Sequence, residues 1–384
     1  MKYETNNNVM ITKNEKCSGC SACSAACPAD AISMIVNNEG FLEPDVNSDM
    51  CINCGICLQV CPLDKETENK RVKSYYGWHK DRDVRDSSTS GGAFRAICDE
   101  VIVSGGIVFG AVYSDDFKSV IFADSDHTEM SKIQKSKYTV SNPDGIYPKI
   151  KAELENGRKV VFCGTPCQAA GLSRYLNKDY DNLTLVDFVC GGMPSLSFWQ
   201  DHVEFLEKKF KSKIKGVDFR SKKNGWGKCY LEIDFDNGKK YFVREYLDSF
   251  YNCFMCGHVS IRKICHDCEF YNNHFADITI ADFWGYRAAG IEDISNGLSL
   301  VIANNTKAAE FVESLKNFEC NLLDNKFSDY AVAPVKSSEQ DIQNRNKFFN
   351  MAKTMRFEKA ANKLCPPTKF GHILQYINVK LKNK

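Results

Sequence analysis

Residues 17–28 read Cys17-Ser18-Gly19-Cys20-Ser21-Ala22-Cys23-Ser24-Ala25-Ala26-Cys27-Pro28, and residues 51–62 read Cys51-Ile52-Asn53-Cys54-Gly55-Ile56-Cys57-Leu58-Gln59-Val60-Cys61-Pro62. Both stretches follow the pattern C-x2-C-x2-C-x3-C-P. The pattern is typical of chains that bind a pair of 4Fe-4S clusters. Three thiolates at this spacing surround one cluster, and the fourth, followed by proline, reaches the other cluster.

The crossed arrangement assigns four cysteine ligands to each of the two clusters. We expect Cys17, Cys20, Cys23 and Cys61 to hold one, and Cys51, Cys54, Cys57 and Cys27 to hold the other. Disulfide bonds between these cysteines would need an oxidising compartment, and nothing in the sequence suggests export. Zinc prefers two C-x2-C pairs to a repeated group of three plus one. The predicted chemistry of this segment is therefore one-electron transfer.

The composition is that of an ordinary soluble protein of two or three domains. The chain has 384 residues, 43% of them hydrophobic and 26% charged. Its net charge of +1 gives no electrostatic argument for binding nucleic acid. The charge is unevenly distributed, since residues 1–70 carry five lysines against ten acidic residues, a net charge of −5. We therefore expect an acidic electron-carrying module on a mildly basic body.

The sequence predicts a cytoplasmic protein without a membrane span. The first 16 residues are polar and contain no apolar signal core. The nearest approach to a membrane span is residues 101–113, which glycines interrupt. The 19 cysteines fit a reducing compartment.

The order of predicted elements indicates an α/β (α+β overall) fold in three parts. Residues 1–70 form a duplicated ferredoxin module, in which strand 31–36 and short strand 41–42 separate the two cysteine stretches. A mixed α/β core is predicted for residues 71–305. Residues 306–384 are predicted to be helical. The last helix would be amphipathic through Phe370, Ile373, Leu374 and Ile377, with Lys380, Lys382 and Lys384 at its tip.

A turn rich in hydroxyl groups and glycine precedes the first predicted helix of the core. Residues 87–94 read Ser-Ser-Thr-Ser-Gly-Gly-Ala-Phe. The start of a helix exposes backbone N–H groups and the positive end of the helix dipole, which suits phosphate. A capped helix after a glycine turn explains the pattern as well. The chain contains no G-x-G-x-x-G or G-x-x-x-x-G-K-[ST] motif.

Two cysteines follow two consecutive predicted strands, each at the switch from strand to helix. Strand 159–162 leads through Cys163 and Gly164 to Thr165, the predicted N-cap, and Pro166 opens the helix. Cys167 then lies in the first turn, where the helix dipole favours a thiolate. Strand 183–189 leads in the same way to Cys190. We expect Cys167 and Cys190 at the ends of adjacent strands, as functional or merely structural cysteines.

A third cysteine group, Cys253, Cys256, Cys265 and Cys268, consists of two C-x2-C pairs. Such pairs suit a tetrahedral zinc ion. Beside a ferredoxin module, a third iron–sulfur cluster is the favoured interpretation.

Several stretches together resemble the beta subunit family of coenzyme F420 hydrogenases and dehydrogenases, with a fused ferredoxin module. They are Ser90-Gly91-Gly92, Ser136-Lys137-Tyr138 with Ser141, Gly164-Thr165-Pro166-Cys167-Gln168, Phe219-Arg220-Ser221-Lys222 with Gly225-Trp226, Ala276-Asp277-Ile278 and Asp282-Phe283-Trp284-Gly285. The resemblance runs from Cys17 to about Val301. It implies an FAD-binding iron–sulfur oxidoreductase that passes electrons between clusters and a two-electron carrier such as the deazaflavin coenzyme F420.

The resemblance also implies roles for residues of the core. Ser90, Gly91 and Gly92 would cradle the flavin phosphates. Ser136, Lys137 and Tyr138 would line the ring or substrate pocket, with Lys137 and Tyr138 as catalytic residues. The remaining cofactor-binding residues are Gly164, Thr165, Pro166 and Gln168. Members of the family that resemble this chain in its Trp284-Gly285 ending look tied to surface-glycan biosynthesis.

Four cysteines common to such relatives, Cys167, Cys190, Cys265 and Cys268, would hold a third 4Fe-4S cluster. The local alternative is Cys253, Cys256, Cys265 and Cys268. Relatives often have histidine directly after the cysteine that corresponds to Cys190, where this chain has Gly191. The resemblance implies no role for Cys163. The expected partners are a small-molecule redox carrier or substrate and a ferredoxin or another redox subunit. The alternative function is an electron-transfer subunit with no substrate of its own.

Overall fold

The computed structural model describes residues 7–9, 16–292, 294, 296–329 and 337–366, apart from the side chain of Cys256. The ferredoxin module contains helix α1 (Ala22–Ala25), strands β1 (Ile32–Val36) and β2 (Leu42–Val46), and helix α2 (Ile56–Gln59). The two strands pair antiparallel, from Ile32 opposite Val46 to Val36 opposite Leu42. The two halves of the module therefore repeat one another, as the sequence predicts. The amphipathic helix predicted around residues 370–377 lies outside the described residues.

Twelve further strands form two sheets in the rest of the described chain. They are β3 (Lys73–His79), β4 (Ile107–Tyr113), β5 (Val120–Asp124), β6 (Ser141–Asn142), β7 (Val160–Cys163), β8 (Leu183–Phe188), β9 (Ile214–Ser221), β10 (Tyr230–Phe235), β11 (Lys240–Arg244), β12 (Ile278–Asp282), β13 (Ser299–Ala303) and β14 (Phe318–Leu323). The large sheet has the order β14-β3-β13-β12-β8-β7-β4-β5-β6, and the small sheet has the order β11-β10-β9. The architecture is mixed α/β, which confirms the predicted class.

The helices of the core cover the large sheet or pack beside the small one. They are α3 (Arg82–Ser87), α4 (Ala93–Val103), α5 (Met130–Ile133), α6 (Ile146–Glu155), α7 (Pro166–Leu176), α8 (Leu196–Phe210), α9 (Ser249–Tyr251), α10 (Thr306–Ser314), α11 (Asn325–Ser328), α12 (Glu339–Ala352) and α13 (Phe357–Leu364). Short 3-10 helices span Glu245–Leu247, Lys263–Asp267, Glu269–Tyr271 and Trp284–Arg287, and a π-helical turn spans Asn252–Cys256. No helix within the described ranges combines the length and apolar character needed to cross a bilayer.

Parallel strands form the centre of the large sheet. β4, β7, β8 and β12 are neighbours and run in the same direction. Their residues are buried on both faces, as in Val160, Val161 and Phe162 of β7, because helices cover both sides. The carboxyl ends of these strands therefore meet at one edge, where Cys163 ends β7 and Cys190 follows β8.

The large sheet continues past residue 305, so the predicted boundary between the α/β core and the C-terminal segment does not coincide with the end of the sheet. Strand β14 pairs antiparallel with β3, from Phe318 opposite His79 to Leu323 opposite Ser74. The prediction of a purely helical segment from residue 306 is wrong for this strand. Long-range pairing between residues 73–79 and 318–323 leaves no local signal in the sequence.

A buried histidine joins the small sheet to the C-terminal helices. His202 of α8 lies 3.0 Å from an Asp248 carboxylate oxygen through Nε2 and 3.0 Å from Glu358 through Nδ1. The Ser249 hydroxyl donates to the other Glu358 oxygen at 2.5 Å. Burial lowers the pKa of His202, but the two carboxylates outweigh it and raise the pKa to about 10. We infer that His202 is an imidazolium at neutral pH.

This arrangement predicts a pH-dependent stability. The folded-state pKa of His202 lies above the unfolded value of about 6.5. The stabilisation is therefore complete below pH of about 6.5 and is lost as the pH rises towards about 10. His202→Gln should lower the free energy of unfolding at pH of about 6.5 by about 3–5 kcal/mol, because it leaves two buried carboxylates without their cation. Denaturant unfolding of both proteins at several pH values measures this. If the free energy of unfolding of the variant declined between pH of about 7 and about 10 as it does in the wild type, the assignment of His202 as the titrating group would be refuted.

Candidate functional site

A cavity of about 390 Å³ opens at the carboxyl ends of the parallel strands. This position, outside the ends of parallel strands, is where open α/β sheets bind ligands. Its volume lies in the range of roughly 300–1,000 Å³ that is usual for small-molecule sites. We call it the central cavity. Five segments supply most of its lining: residues 88–95, 133–141, 163–168, 188–194 and 280–284.

The central cavity brings together most of the predicted flavin-binding residues. Its lining includes Ser90, Gly92, Ser136, Lys137, Tyr138, Gly164, Thr165 and Gln168. Gly91 and Pro166 are not part of it. A Cβ atom on Gly91 would lie 2.4 Å from the carbonyl oxygen of Gly77 and 2.6 Å from the amide nitrogen of Ser299. Gly91 therefore allows the turn to pack against β3 and β13, and its contact with phosphate stays a prediction.

The lining fits a dinucleotide such as FAD in its chemical character. Hydroxyl groups of Ser88, Thr89 and Ser90 stand at the start of α4. Gly92 has a φ of +93°, a conformation that favours glycine, and it turns the chain into that helix. A helix start with nearby hydroxyls suits a phosphate group. Apolar side chains such as Val120 and Ile280 supply a surface for a planar ring elsewhere in the cavity.

Gln168 fixes the geometry of the loop between β7 and α7. Its Oε1 accepts a hydrogen bond from the Thr165 amide at 3.0 Å, and its Nε2 donates to the Ser141 carbonyl at 3.0 Å. The side chain is fully buried. Thr165 is the N-cap and Pro166 opens the helix, as predicted. Gln168 thus ties the start of α7 to β6 at the edge of the cavity.

Lys137 is a buried amine on the cavity wall. Its Nζ donates to the carbonyl oxygens of Ile133 at 3.1 Å, Gln134 at 2.8 Å and Lys135 at 3.1 Å. Burial lowers its pKa to about 7. Burial also raises the pKa of the nearby Cys163 thiol to about 12, while Lys137 opposes that shift. The amine can therefore change its charge near neutral pH at the cavity wall.

Tyr138 belongs to an aromatic and charged corner of the cavity. The Arg220 Nη1 donates to the Tyr138 hydroxyl at 3.3 Å and to an Asp282 carboxylate oxygen at 2.5 Å. Burial raises the pKa of Tyr138, so the phenol keeps its proton. Trp284 closes the corner. Its ring stacks on Trp226 with centroids 4.6 Å apart and an interplanar angle of 8°, and it remains 42% exposed.

Four thiols beside the cavity act on one another electrostatically. They are Cys167, Cys190, Cys265 and Cys268, which we call the core thiol group. Cys190 also lines the central cavity. Burial, and not the helix dipole, dominates at Cys167 and raises the pKa of its thiol. The expected thiolate at Cys167 therefore needs a bound metal, which deprotonates a coordinating thiol outright.

One cysteine of the local alternative set, Cys253, packs against the C-terminal helices. Cys253 is fully buried among the apolar side chains beside α8. Its thiol shares a hydrogen bond with that of Cys365, and burial raises the pKa of Cys253. The packing therefore directs Cys253 towards the C-terminal helices.

The structure brings the first predicted set of cysteines in the ferredoxin module together, and the second set stays a prediction. The thiols of Cys17, Cys20, Cys23 and Cys61, which we call the first thiol group, act on one another electrostatically. Cys57, Cys23 and Cys27 pack around Val9 and Ile32. Cys27, Cys51, Cys54 and Cys57 form the second thiol group, and in it Cys54 is exposed.

The three thiol groups follow one another from the cavity to the surface. A negative charge on the Cys167 thiol of the core group raises the pKa of the Cys20 thiol in the first group. Beside Cys20 lies Gly171 of α7, where a Cβ atom would come within 3.0 Å of the Cys20 Sγ. The second group continues from the first and ends at the exposed Cys54. The path from the cavity to solvent therefore passes the core group, then the first group and then the second group.

The surroundings of the sulfur atoms fit iron–sulfur clusters. Backbone amides of Gly19, Ala31, Gly192 and Met193 donate to the sulfurs of Cys17, Cys27, Cys190 and Cys265 at 3.3–3.4 Å. Such hydrogen bonds to sulfur are one of the protein's means of setting a cluster potential. Within the described part of the chain, no three His, Cys, Asp or Glu side chains are grouped tightly enough for a single metal ion.

Comparisons with known proteins bear on both parts of the chain. Residues 16–65 match the 4Fe-4S dicluster domain, and residues 157–333 match the family that comprises the carboxyl-terminal part of the coenzyme F420 hydrogenase/dehydrogenase beta subunit. No curated protein matches the chain. A solved structure of the F420-reducing [NiFe] hydrogenase complex from Methanosarcina barkeri, derivatised with xenon, contains a similar chain. The identity is 16% and the TM-score 0.46, over 78% of this chain and 91% of the other.

Proposed function

Because the chain carries the carboxyl-terminal region of the coenzyme F420 hydrogenase/dehydrogenase beta subunit family behind a 4Fe-4S dicluster domain, we propose that it is an iron–sulfur flavoprotein oxidoreductase. It would pass electrons between 4Fe-4S clusters and a two-electron organic carrier or substrate through FAD. The FAD, the third cluster and a link to surface-glycan biosynthesis are parts of this proposal, and the last rests on the sequence resemblance alone.

The observation that carries the proposal is the succession of thiol groups between solvent and cavity. One end is the exposed Cys54, and the other is Cys190, which belongs both to the core thiol group and to the cavity lining. Clusters transfer electrons singly, whereas a bound flavin exchanges them in pairs as hydride and singly with clusters. A cavity at the inner end of such a path is where a carrier of paired electrons would be needed.

The residues of the cavity would have distinct tasks. Ser90 and the start of α4 at Gly92 would bind phosphate. Lys137, held by three carbonyl oxygens, would present a positive charge to the ring. Tyr138 keeps its proton and contacts Arg220, so it would orient the ligand as a hydrogen-bond donor. The buried walls would exclude water from the exchange.

Cofactor analysis of anaerobically purified protein tests the proposal. We expect about twelve irons and about twelve acid-labile sulfides per chain, for three clusters. Heat or acid should release about one FAD per chain, identified by its fluorescence and chromatographic mobility. A folded, brown protein that releases no flavin would refute the role of the central cavity. A protein without labile sulfide would refute the entire assignment.

The exposed end of the thiol path favours a second candidate, an electron-transfer subunit without its own substrate. Ile52 is 66% exposed and Met50 is 45% exposed beside Cys51 and Cys54, in a module of net negative charge. This face suits docking of a redox protein with a basic rim. Turnover of reduced deazaflavin, NADH or NADPH with a one-electron dye distinguishes the two functions. An enzyme reduces the dye alone, whereas a subunit does so only with its partner.

A further inference from the structure

Arg262 lies between the ferredoxin module and the core. Its side chain is 6% exposed. Nη1 donates to the carbonyl oxygen of Cys17 at 2.8 Å, and Nη2 donates to that of Leu42. Its backbone N–H donates to the carbonyl of Met193 at 2.9 Å, and its carbonyl accepts from the amide of Cys265 at 3.0 Å. One residue therefore contacts the chain at a ligand of the first thiol group and at a ligand of the core thiol group.

The positive charge of Arg262 faces carbonyl groups and thiols. Within the described residues, no carboxylate lies at ion-pair distance from its guanidinium, a group that stays charged in proteins. The nearby Arg345 differs, because it pairs with Glu39. Burial raises the pKa of the Cys167 and Cys265 thiols, and Arg262 opposes that shift at both. The thiols that this cation favours in their charged form are therefore two ligands of the core thiol group, and its hydrogen bond to the Cys17 carbonyl places it beside the first thiol group as well.

The chain leaves room for this arginine at a specific place. Gly19, between Cys17 and Cys20, has a φ of +74°, and a Cβ atom there would lie 2.8 Å from Arg262 Nη2. The ring of Phe41 lies 5.1 Å from the Arg262 guanidinium carbon, which supports a cation–π contact. The first thiol loop and the first strand pair of the module thus both accommodate a residue of the core.

We propose that Arg262 is a positioning residue that fixes the ferredoxin module on the core and supplies the positive charge between two of the three clusters. The inference rests on the proposed function. A cluster gains negative charge on reduction, and a buried cation stabilises that state more than the oxidised state. Arg262 therefore raises the reduction potential of the clusters at the core and first thiol groups. The second thiol group, farther out, is affected little.

The test compares Arg262→Gln and Arg262→Lys with Arg174→Gln. Arg174 also joins core to module, through a hydrogen bond of 2.9 Å to the Gln59 carbonyl, but this bond lies at the exposed surface, where solvent and salt screen its charge from the clusters. EPR-monitored redox titration measures the midpoint potential of each cluster. In Arg262→Gln, two clusters should shift to more negative potential while the third stays unchanged. Arg262→Lys should stay close to wild type, and Arg174→Gln should be unchanged.

The outcomes separate this inference from the proposed function. Wild-type protein with three clusters and no shift in Arg262→Gln overturns the inference alone, as does an equal shift of all three clusters. Wild-type protein without three clusters overturns the proposed function first. If Arg262→Gln does not retain its clusters, Arg262→Lys decides. In Arg262→Lys, wild-type midpoint potentials together with faster proteolysis of the linker at residues 64–71 would support the proposal. A shift of these midpoint potentials to more negative values in Arg262→Lys would refute it.

Discussion

Cys167→Ser should lose about four of about twelve irons per chain, because a 4Fe-4S cluster with four protein ligands seldom survives the loss of a thiolate. Cys167 belongs to the core thiol group, in which its thiol acts on those of Cys190 and Cys265. The clusters of the ferredoxin module keep all their ligands. Iron and labile-sulfide analysis of anaerobic protein measures the change, and EPR should show two remaining clusters.

Cys253→Ser is the matched control for this prediction. Cys253 is fully buried and belongs to the competing C-x2-C set, but its thiol bonds to that of Cys365. The variant should keep all of its iron and lose only some stability. The opposite result, four irons lost from Cys253→Ser and none from Cys167→Ser, would assign the cluster to residues 253–268. A metal analysis that finds one zinc ion per chain would show that the chain holds zinc in place of the third cluster.

Lys137→Gln should slow reduction of the bound flavin by reduced methyl viologen by about 10²–10³-fold, the usual cost of removing one preorganised electrostatic group. Glutamine keeps a donor but not the charge. Flavin content should stay near wild type, because the phosphate-binding residues are distant in sequence and unchanged. Stopped-flow absorbance of the flavin measures the rate. A variant with a wild-type rate would show that Lys137 is only a structural residue that closes the turn after α5.

The same site predicts a pH profile. Burial lowers the pKa of Lys137 to about 7, so the charged fraction of its amine falls as the pH rises through about 7. The rate of flavin reduction should therefore decline between pH of about 6 and about 8 in the wild type. The decline should be absent in Lys137→Gln. Lys135→Gln is the control, since Lys135 also lines the cavity but pairs with Asp218 at 2.8 Å, and it should keep the decline.

Local patterns predicted much of the fold and of the cofactor sites. The spacing of the eight N-terminal cysteines indicated the paired-cluster module, and the matching dicluster domain confirms it. The repeated order of strand, cysteine, glycine, proline and helix placed Cys167 and Cys190 after adjacent strands, and β7 and β8 are neighbours. Helix α7 begins at Pro166 with Thr165 as its N-cap, as predicted. These features are local, so their signals lie within a few residues of one another.

Contacts between distant segments were not predictable in the same way. Glu358 and His202 are 156 positions apart, and Arg262 and Cys17 are 245 positions apart. The only local hint for Arg262 is a basic residue three positions before Cys265, followed by a second basic residue, Lys263. The packing of Gly91 was not predictable, because a glycine that relieves crowding against a strand looks the same in sequence as one that approaches a ligand. Only the packing against Gly77 separates the two.

The position of β3 in the sheet has a consequence for synthesis of the chain. β3 is the first strand of the core to leave the ribosome, yet its two neighbours, β13 and β14, lie at residues 299–303 and 318–323. The nascent core therefore holds an unpaired strand with buried positions such as Tyr75 until almost the whole polypeptide has emerged. The cysteine-rich module ahead of it has no such delay within its own strands, so metal loading there can precede completion of the domain that it serves.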